Sequence, residues 1–110
     1  MIRYCLALDL VDDPQLISEY IAYHKAVWPE IISSIKTAGI EHMEIYQFGT
    51  RLMMIMEVSD HFDAALKAEK DLANEKVQEW EQVMWKYQRA VPGAKPGEKW
   101  VMMNKIFELQ

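Results

Sequence analysis

The spacing of hydrophobic residues changes repeatedly along this chain, and these changes constrain its fold more than any other feature. From Ile2 to Leu10 every second residue belongs to one apolar face, which is the period of a half-buried β-strand. After Asp13-Pro14, a favourable helix start, apolar residues recur at intervals of three and four. Pro29 predicts a bend or restart in this helical region, and Gly39 predicts its end.

The rest of the chain repeats the pattern of strand and helix. Phe48-Gly49-Thr50 is a tight-turn signal between two strands, so it predicts a hairpin. In order, the elements are strands at 40–48 and 51–58, a helical region from Ser59-Asp60 with an interruption near Asn74, a loop at 92–97, and a last strand from Trp100 to Leu109. The order β-α-β-β-α-β predicts a ferredoxin-like α+β sandwich, and the length predicts one domain over residues 1–110.

The third strand is apolar on both of its sides. Its two faces carry Leu52, Met54, Met56 and Val58 on one side, and Met53 and Ile55 on the other. Because a sheet with two apolar faces must cover both, the sequence predicts a homodimer, which would form a dimeric α/β barrel.

Composition excludes several classes of partner. The net charge is −5, and the basic residues are spread singly, so neither a nucleic-acid partner nor a membrane surface is expected. No apolar run is long enough for a transmembrane helix. Cys5 is the one cysteine, so no intrachain disulfide can form, and a cytoplasmic location is predicted.

His24 is the leading candidate for chemistry. It follows Tyr20 by four residues, so both side chains lie on one helix face, and that face is largely apolar. One interpretation is a buried histidine that is hydrogen-bonded to Tyr20. The other is a general acid/base at a pocket wall, because imidazole exchanges protons near neutral pH.

No motif for a metal or a nucleotide cofactor occurs, so neither is expected. This absence favours chemistry that needs only proton transfers, or a protein without catalytic activity. Trp28, Trp80 and Trp85 suit the apolar face of a sugar, although each can equally anchor the core. Glu57 is a carboxylate on an apolar strand face. It therefore forms an ion pair, has a functional role, or lies at a strand edge that water reaches.

Several stretches resemble the L-rhamnose mutarotase family over nearly the full chain. The specific run is Tyr20-x-x-x-His24-x-x-x-Trp28-Pro29-Glu30. Supporting matches are Met1-Ile2-Arg3, Gly39, Ile45-Tyr46, Met56-Glu57, Val77-Gln78-Glu79-Trp80 and Ile106-Phe107-Glu108-Leu109.

The resemblance implies a dimeric, cofactor-free enzyme that interconverts the α and β anomers of a 6-deoxy-L-hexose. It implies that His24 is the proton donor and that Tyr20 contacts the sugar. The chain departs from the rhamnose-specific pattern where Met43 replaces a tyrosine and where Glu81 follows Trp80, with a further tryptophan at Trp85. The resemblance therefore implies L-rhamnose or L-fucose as the expected substrate and does not decide between them.

His24 is thus predicted to be catalytic, and the predicted substrate-binding residues are Tyr20, Met43, Tyr46, Trp80, Trp85 and Glu57. The general base that acts together with His24 is not decided by the sequence. Glu57, Tyr46 and a water molecule are the candidates. Two other functions also remain open. Fold analogy allows a cofactor-free monooxygenase or a haem-degrading protein, and a sugar-binding module would bind without catalysis.

Overall fold

A computed structural model describes residues 2–110, which form a mixed α+β structure with one sheet. The strands are β1 (Ile2–Leu10), β2 (Ile40–Phe48), β3 (Arg51–Val58), β4 (Gln88–Arg89) and β5 (Val101–Met102). The helices are α1 (Pro14–Lys25), α2 (Pro29–Thr37), α3 (Ala64–Leu72) and α4 (Glu75–Trp85). The sheet order is β2-β3-β1-β4, β5 also pairs with β1, and every pairing is antiparallel. This confirms the predicted ferredoxin-like α+β fold.

The predicted helix and turn signals are confirmed by local geometry. Asp13 caps α1, because its Oδ1 accepts hydrogen bonds from the backbone N–H of Gln15 at 2.9 Å and of Leu16 at 3.2 Å. A new helix begins at Pro29. Gly39 ends it with a φ of 95°, in the left-handed region that favours glycine.

The second helical region begins later than the sequence predicts. The predicted start was Ser59-Asp60, but α3 begins at Ala64, where the Asp63 carboxylate accepts from the backbone N–H of Leu66. The later start has a local cause. Asp63 is a favourable N-cap only a few residues after Ser59-Asp60, so the helix begins after Asp63 instead. The predicted interruption near Asn74 is confirmed, because Asn74 caps α4.

The last strand is much shorter than predicted. The expected strand ran from Trp100 to Leu109, but β5 ends at Met102, and Met103 makes one further backbone hydrogen bond, to Cys5. Leu6 pairs with Met102, so three more residues of ladder would place Lys105 directly opposite Arg3. Like charges in that position destabilise a strand pair.

The register divides the sheet into two faces. Cross-strand partners share a face, so Leu6, Leu8, Leu10, Leu52, Met54 and Met56 lie together, and this is the helix-covered face. The core cluster packs against it and contains the buried residues Leu8, Leu10, Tyr20, Ile31, Leu52, Val77, Trp80, Met84 and Tyr87. The open face carries half-buried Cys5, Ala7, Met53 and Ile55 with exposed Tyr46 and Phe48, and within residues 2–110 it contributes nothing to that cluster.

A β-bulge at Glu41 adjusts the second strand. Ile40 pairs with Val58, but His42 pairs with Glu57, so the bulge absorbs one residue. Consequently both Ile40 and Met43 lie on the helix-covered face, although simple alternation would separate them.

Candidate active site

His24 lies in an aromatic cluster where α1 meets α4. Its ring centroid is 4.4 Å from that of Tyr20 and 5.8 Å from that of Trp80. The ring centroid of Trp28 lies 5.1 Å from that of Trp80. Tyr20 and Trp80 are buried, whereas His24 is half-buried. The helical spacing of Tyr20 and His24 therefore places them side by side, as the sequence predicts.

The hydrogen bond at His24 fixes which ring nitrogen can exchange a proton. Nδ1 lies 2.9 Å from the backbone carbonyl oxygen of Tyr20. A carbonyl oxygen only accepts, so Nδ1 carries a proton and donates it in both charge states of the ring. Nε2 is then the atom that gains or loses a proton. The contact expected between His24 and Tyr20 thus exists, but it uses the backbone of Tyr20 and not its hydroxyl.

The neighbouring phenols stay protonated near neutral pH. Burial raises the pKa of Tyr20, although a hydrogen bond from Gln88 opposes this shift. Burial, followed by the hydrogen bond from the Tyr87 hydroxyl to Glu19, raises the pKa of Tyr87 to about 12. Among the side chains of this cluster, only the imidazole of His24 has one ring nitrogen that can accept a proton and another that can donate one, so it is the member suited to proton transfer.

The two predicted tryptophans occupy different environments. Trp80 is 7% exposed and packs inside the cluster beside His24. Trp85 is 47% exposed, and the Lys99 ammonium lies 4.1 Å from the centroid of its ring. Lys99 also pairs with Glu81 at 2.5 Å, so this lysine connects the loop between β4 and β5 to α4. Trp80 is therefore next to His24. Trp85 lies apart from them, and Lys99 covers one face of its ring.

Met43 lies on the same side of the sheet as the helices. It pairs with Met56 and is half-buried, as is Met54. Ile45, two residues along the strand and about 7 Å away, packs against the core cluster. These methionines are not fully covered, so the helices leave part of this face accessible.

Tyr46 and Glu57 lie on the opposite side of the sheet from His24. Glu57 pairs with Arg3 at 3.5 Å. Tyr46 is exposed, and its hydroxyl donates to Glu44 at 3.1 Å, which raises the pKa of this phenol. Within one chain, neither residue is brought together with His24.

Sequence reasoning missed three residues that complete the cluster. Tyr23 contacts Trp80 edge-on at 6.0 Å, and Tyr87 lies 6.0 Å from Tyr20. Gln88 is buried and donates to the Tyr20 hydroxyl at 3.4 Å. Tyr23 could have been found, because it is three residues after Tyr20 on the same helix. Gln88 gave no signal, since it lies in a strand of only two residues.

Two surface grooves lie away from His24. One of about 660 Å³ separates α2 from α3, and one of about 460 Å³ lies between α1 and the hairpin turn. Neither of these two grooves is lined by His24. Among residues 2–110, no three His, Cys, Asp or Glu side chains are grouped to hold a metal ion. The helices in that part of the chain are too short or too polar to cross a membrane.

Comparison with known proteins identifies the family. The family model described as L-rhamnose mutarotase matches residues 3–109. An L-fucose mutarotase from Xanthomonas campestris pv. campestris is 45% identical over 99% of this chain and 89% of its own length.

Two solved structures share the fold at low sequence identity. An L-rhamnose mutarotase from Formosa agariphila superposes with a TM-score of 0.73 at 18% identity, covering all of both chains. Tetracenomycin F2 cyclase from Streptomyces glaucescens gives 0.62 at 16% identity, covering 100% of this chain and 98% of its own. The family match does not favour a monooxygenase, a haem-degrading protein or a non-catalytic module. The chain belongs to the L-rhamnose mutarotase family, whose members are isomerases acting on sugar anomers.

Proposed function

We propose that this protein interconverts the α and β anomers of a 6-deoxy-L-hexose, with His24 Nε2 as the proton donor. The observation that carries the proposal is the hydrogen bond from Nδ1 to the Tyr20 carbonyl. It leaves Nε2 as the exchangeable position on a ring that rests between Tyr20 and Trp80. The family membership supplies the reaction class.

Ring opening needs two proton transfers. A base takes the proton of the anomeric hydroxyl, and a C1=O bond forms as the bond from C1 to the ring oxygen breaks. The electron pair of the broken bond goes to the ring oxygen, which takes the proton from Nε2 of the charged imidazole. Rotation about C1–C2 exposes the other face of the aldehyde, and the reverse steps close the ring. Positioned acid/base help of this kind contributes roughly 10²–10⁴-fold in rate.

A water molecule is the favoured base among the three candidates. Glu57 and Tyr46 lie on the open face, with the sheet between them and His24. Glu57 also pairs with Arg3, and Tyr46 donates to Glu44. Their placement gives no support to direct contact with a sugar on the helix-covered side, whereas water reaches a half-buried site.

We place the sugar between the aromatic cluster and the incompletely covered methionines of the sheet. In this arrangement Trp80 packs against an apolar sugar face, and Met43 forms an apolar wall. Trp85 contributes at the rim, beside the Lys99–Glu81 pair. Support comes from burial, because Met43, Met54 and Met56 are half-buried on the face where the helices pack.

L-Fucose is the proposed preferred substrate. The support is the 45% identity to an L-fucose mutarotase and the presence of Met43, which offers no hydroxyl to a sugar. The two sugars differ in the orientation of the C2 and C4 hydroxyls, so loss of one polar contact changes their ranking. Saturation-transfer NMR should show faster enzyme-dependent anomer exchange for L-fucose than for L-rhamnose. Faster exchange of L-rhamnose would reverse the assignment, and preference for a D-aldohexose would refute both.

Activity should survive removal of metal ions. The proposed chemistry moves only protons, and imidazole supplies and accepts them without a metal. Exchange rates measured before and after exhaustive dialysis against EDTA should agree. A loss that zinc or manganese restores would contradict the mechanism.

We also propose a homodimer joined through the open face, because its apolar residues need a cover. A cytoplasmic location stays a prediction from the free Cys5.

A further inference from the structure

Gln88 is a polar side chain in an apolar part of the core. It pairs with Leu10 across β1 and β4, so its amide lies on the helix-covered face, and the residue is 8% exposed. Its Nε2 donates to the Tyr20 hydroxyl at 3.4 Å. Its Oε1 is buried and has no hydrogen-bond partner within residues 2–110. A buried acceptor without a partner destabilises a fold, so its presence calls for an explanation.

Reversing the amide does not remove the problem. With oxygen and nitrogen exchanged, the Tyr20 O–H could donate to the amide oxygen, but the NH₂ group would then be unpaired. In the observed orientation Tyr20 accepts from Gln88, so its own proton remains available to another acceptor. Within the described residues, Gln88 Oε1 therefore has no donor, and the neighbouring Tyr20 hydroxyl, which accepts from Gln88, still has its proton to donate.

One sugar hydroxyl has the complementary chemistry, since it can donate and accept at the same time. We propose that the Gln88 amide and the Tyr20 hydroxyl together bind one ring hydroxyl of the sugar. This inference rests on the proposed function and adds a specificity residue that the family motif does not contain. Because the Tyr20 ring lies 4.4 Å from His24, the same contact aligns the sugar with the proton donor.

The test is Gln88→Met, a near-isosteric change that removes both polar atoms. If Gln88 binds sugar, KM for the preferred sugar rises about tenfold or more. The melting temperature is unchanged or higher, because a buried unpaired oxygen is gone. Exchange rates at several sugar concentrations and a thermal melt are measured on one preparation. Gln82→Met, on the exposed surface of α4, is the matched control and should change neither quantity.

Tyr20→Phe removes only the donor and provides an independent variant. It should also raise KM, and the double variant should lose little more than either single one, since both groups bind the same hydroxyl. Parent KM in Gln88→Met overturns the proposal. If Gln88→Met does not fold, an unchanged KM in Tyr20→Phe overturns it instead. A wild-type protein without anomer exchange refutes the proposed function itself, and the proposal falls with it.

Discussion

Replacing His24 with alanine should remove most of the acceleration of anomer exchange while the fold persists. The expected loss is roughly 10²–10⁴-fold, because the ring oxygen loses its positioned proton donor. The melting temperature should change little, since His24 is half-buried and its hydrogen bond goes to a carbonyl within its own helix. Exchange rate by saturation-transfer NMR and thermal melting on the same preparation check both parts.

Two further variants separate proton transfer from packing. In His24→Asn the amide NH₂ can keep the hydrogen bond to the Tyr20 carbonyl, but no group replaces Nε2, so this variant should be as slow as His24→Ala. His61→Ala, at an exposed histidine before α3, should keep the parent rate. If His24→Ala melts several degrees lower yet exchanges anomers at the parent rate, His24 belongs to the core alone.

The order of elements could be predicted because each one satisfies a local rule. The strand period, the Asp13-Pro14 start, the restart at Pro29 and the turn at Gly49 all act within a few residues. The end of β5 could not be predicted in this way. The length of β5 depends on its pairing with β1, which is distant in sequence, and no local pattern contains that pairing.

The same distinction between local and long-range determinants applies to the candidate site. Tyr20 and His24 meet because they are four residues apart on one helix, so their contact follows from helix geometry. Tyr46 and Glu57 are different. Alternation places Glu57 on one face with Met53 and Ile55, but which face the helices cover is determined only by the assembled fold, and the side that Tyr46 faces relative to Ile40 also depends on the bulge at Glu41. Gln88 reaches Tyr20 through the placement of β4 beside β1, which only the assembled fold determines.

Replacing Ile55 with aspartate should convert the protein from a dimer to a monomer. Ile55 is half-buried at the centre of the open face, opposite Cys5 and Glu44 on the neighbouring strands. If a second copy covers this face, an unpaired carboxylate there should raise the dissociation constant by at least about 100-fold. The C-terminal segment adds to the argument, because Ile106, Phe107 and Leu109 are 96%, 76% and 85% exposed in the single chain. A group of exposed apolar side chains in one segment is typical of a surface that a partner covers.

Light scattering with sedimentation velocity at micromolar concentration measures the outcome. The parent protein should be a dimer, and Ile55→Asp a monomer that retains its circular dichroism spectrum. Ile32→Asp is the matched control, since it makes the same change at an exposed position on α2 and should leave the dimer intact. A truncation after Asn104 should weaken the dimer by removing the exposed C-terminal side chains. A parent protein that is monomeric, or an Ile55→Asp variant as dimeric as the parent, would show that the open face is not the subunit interface.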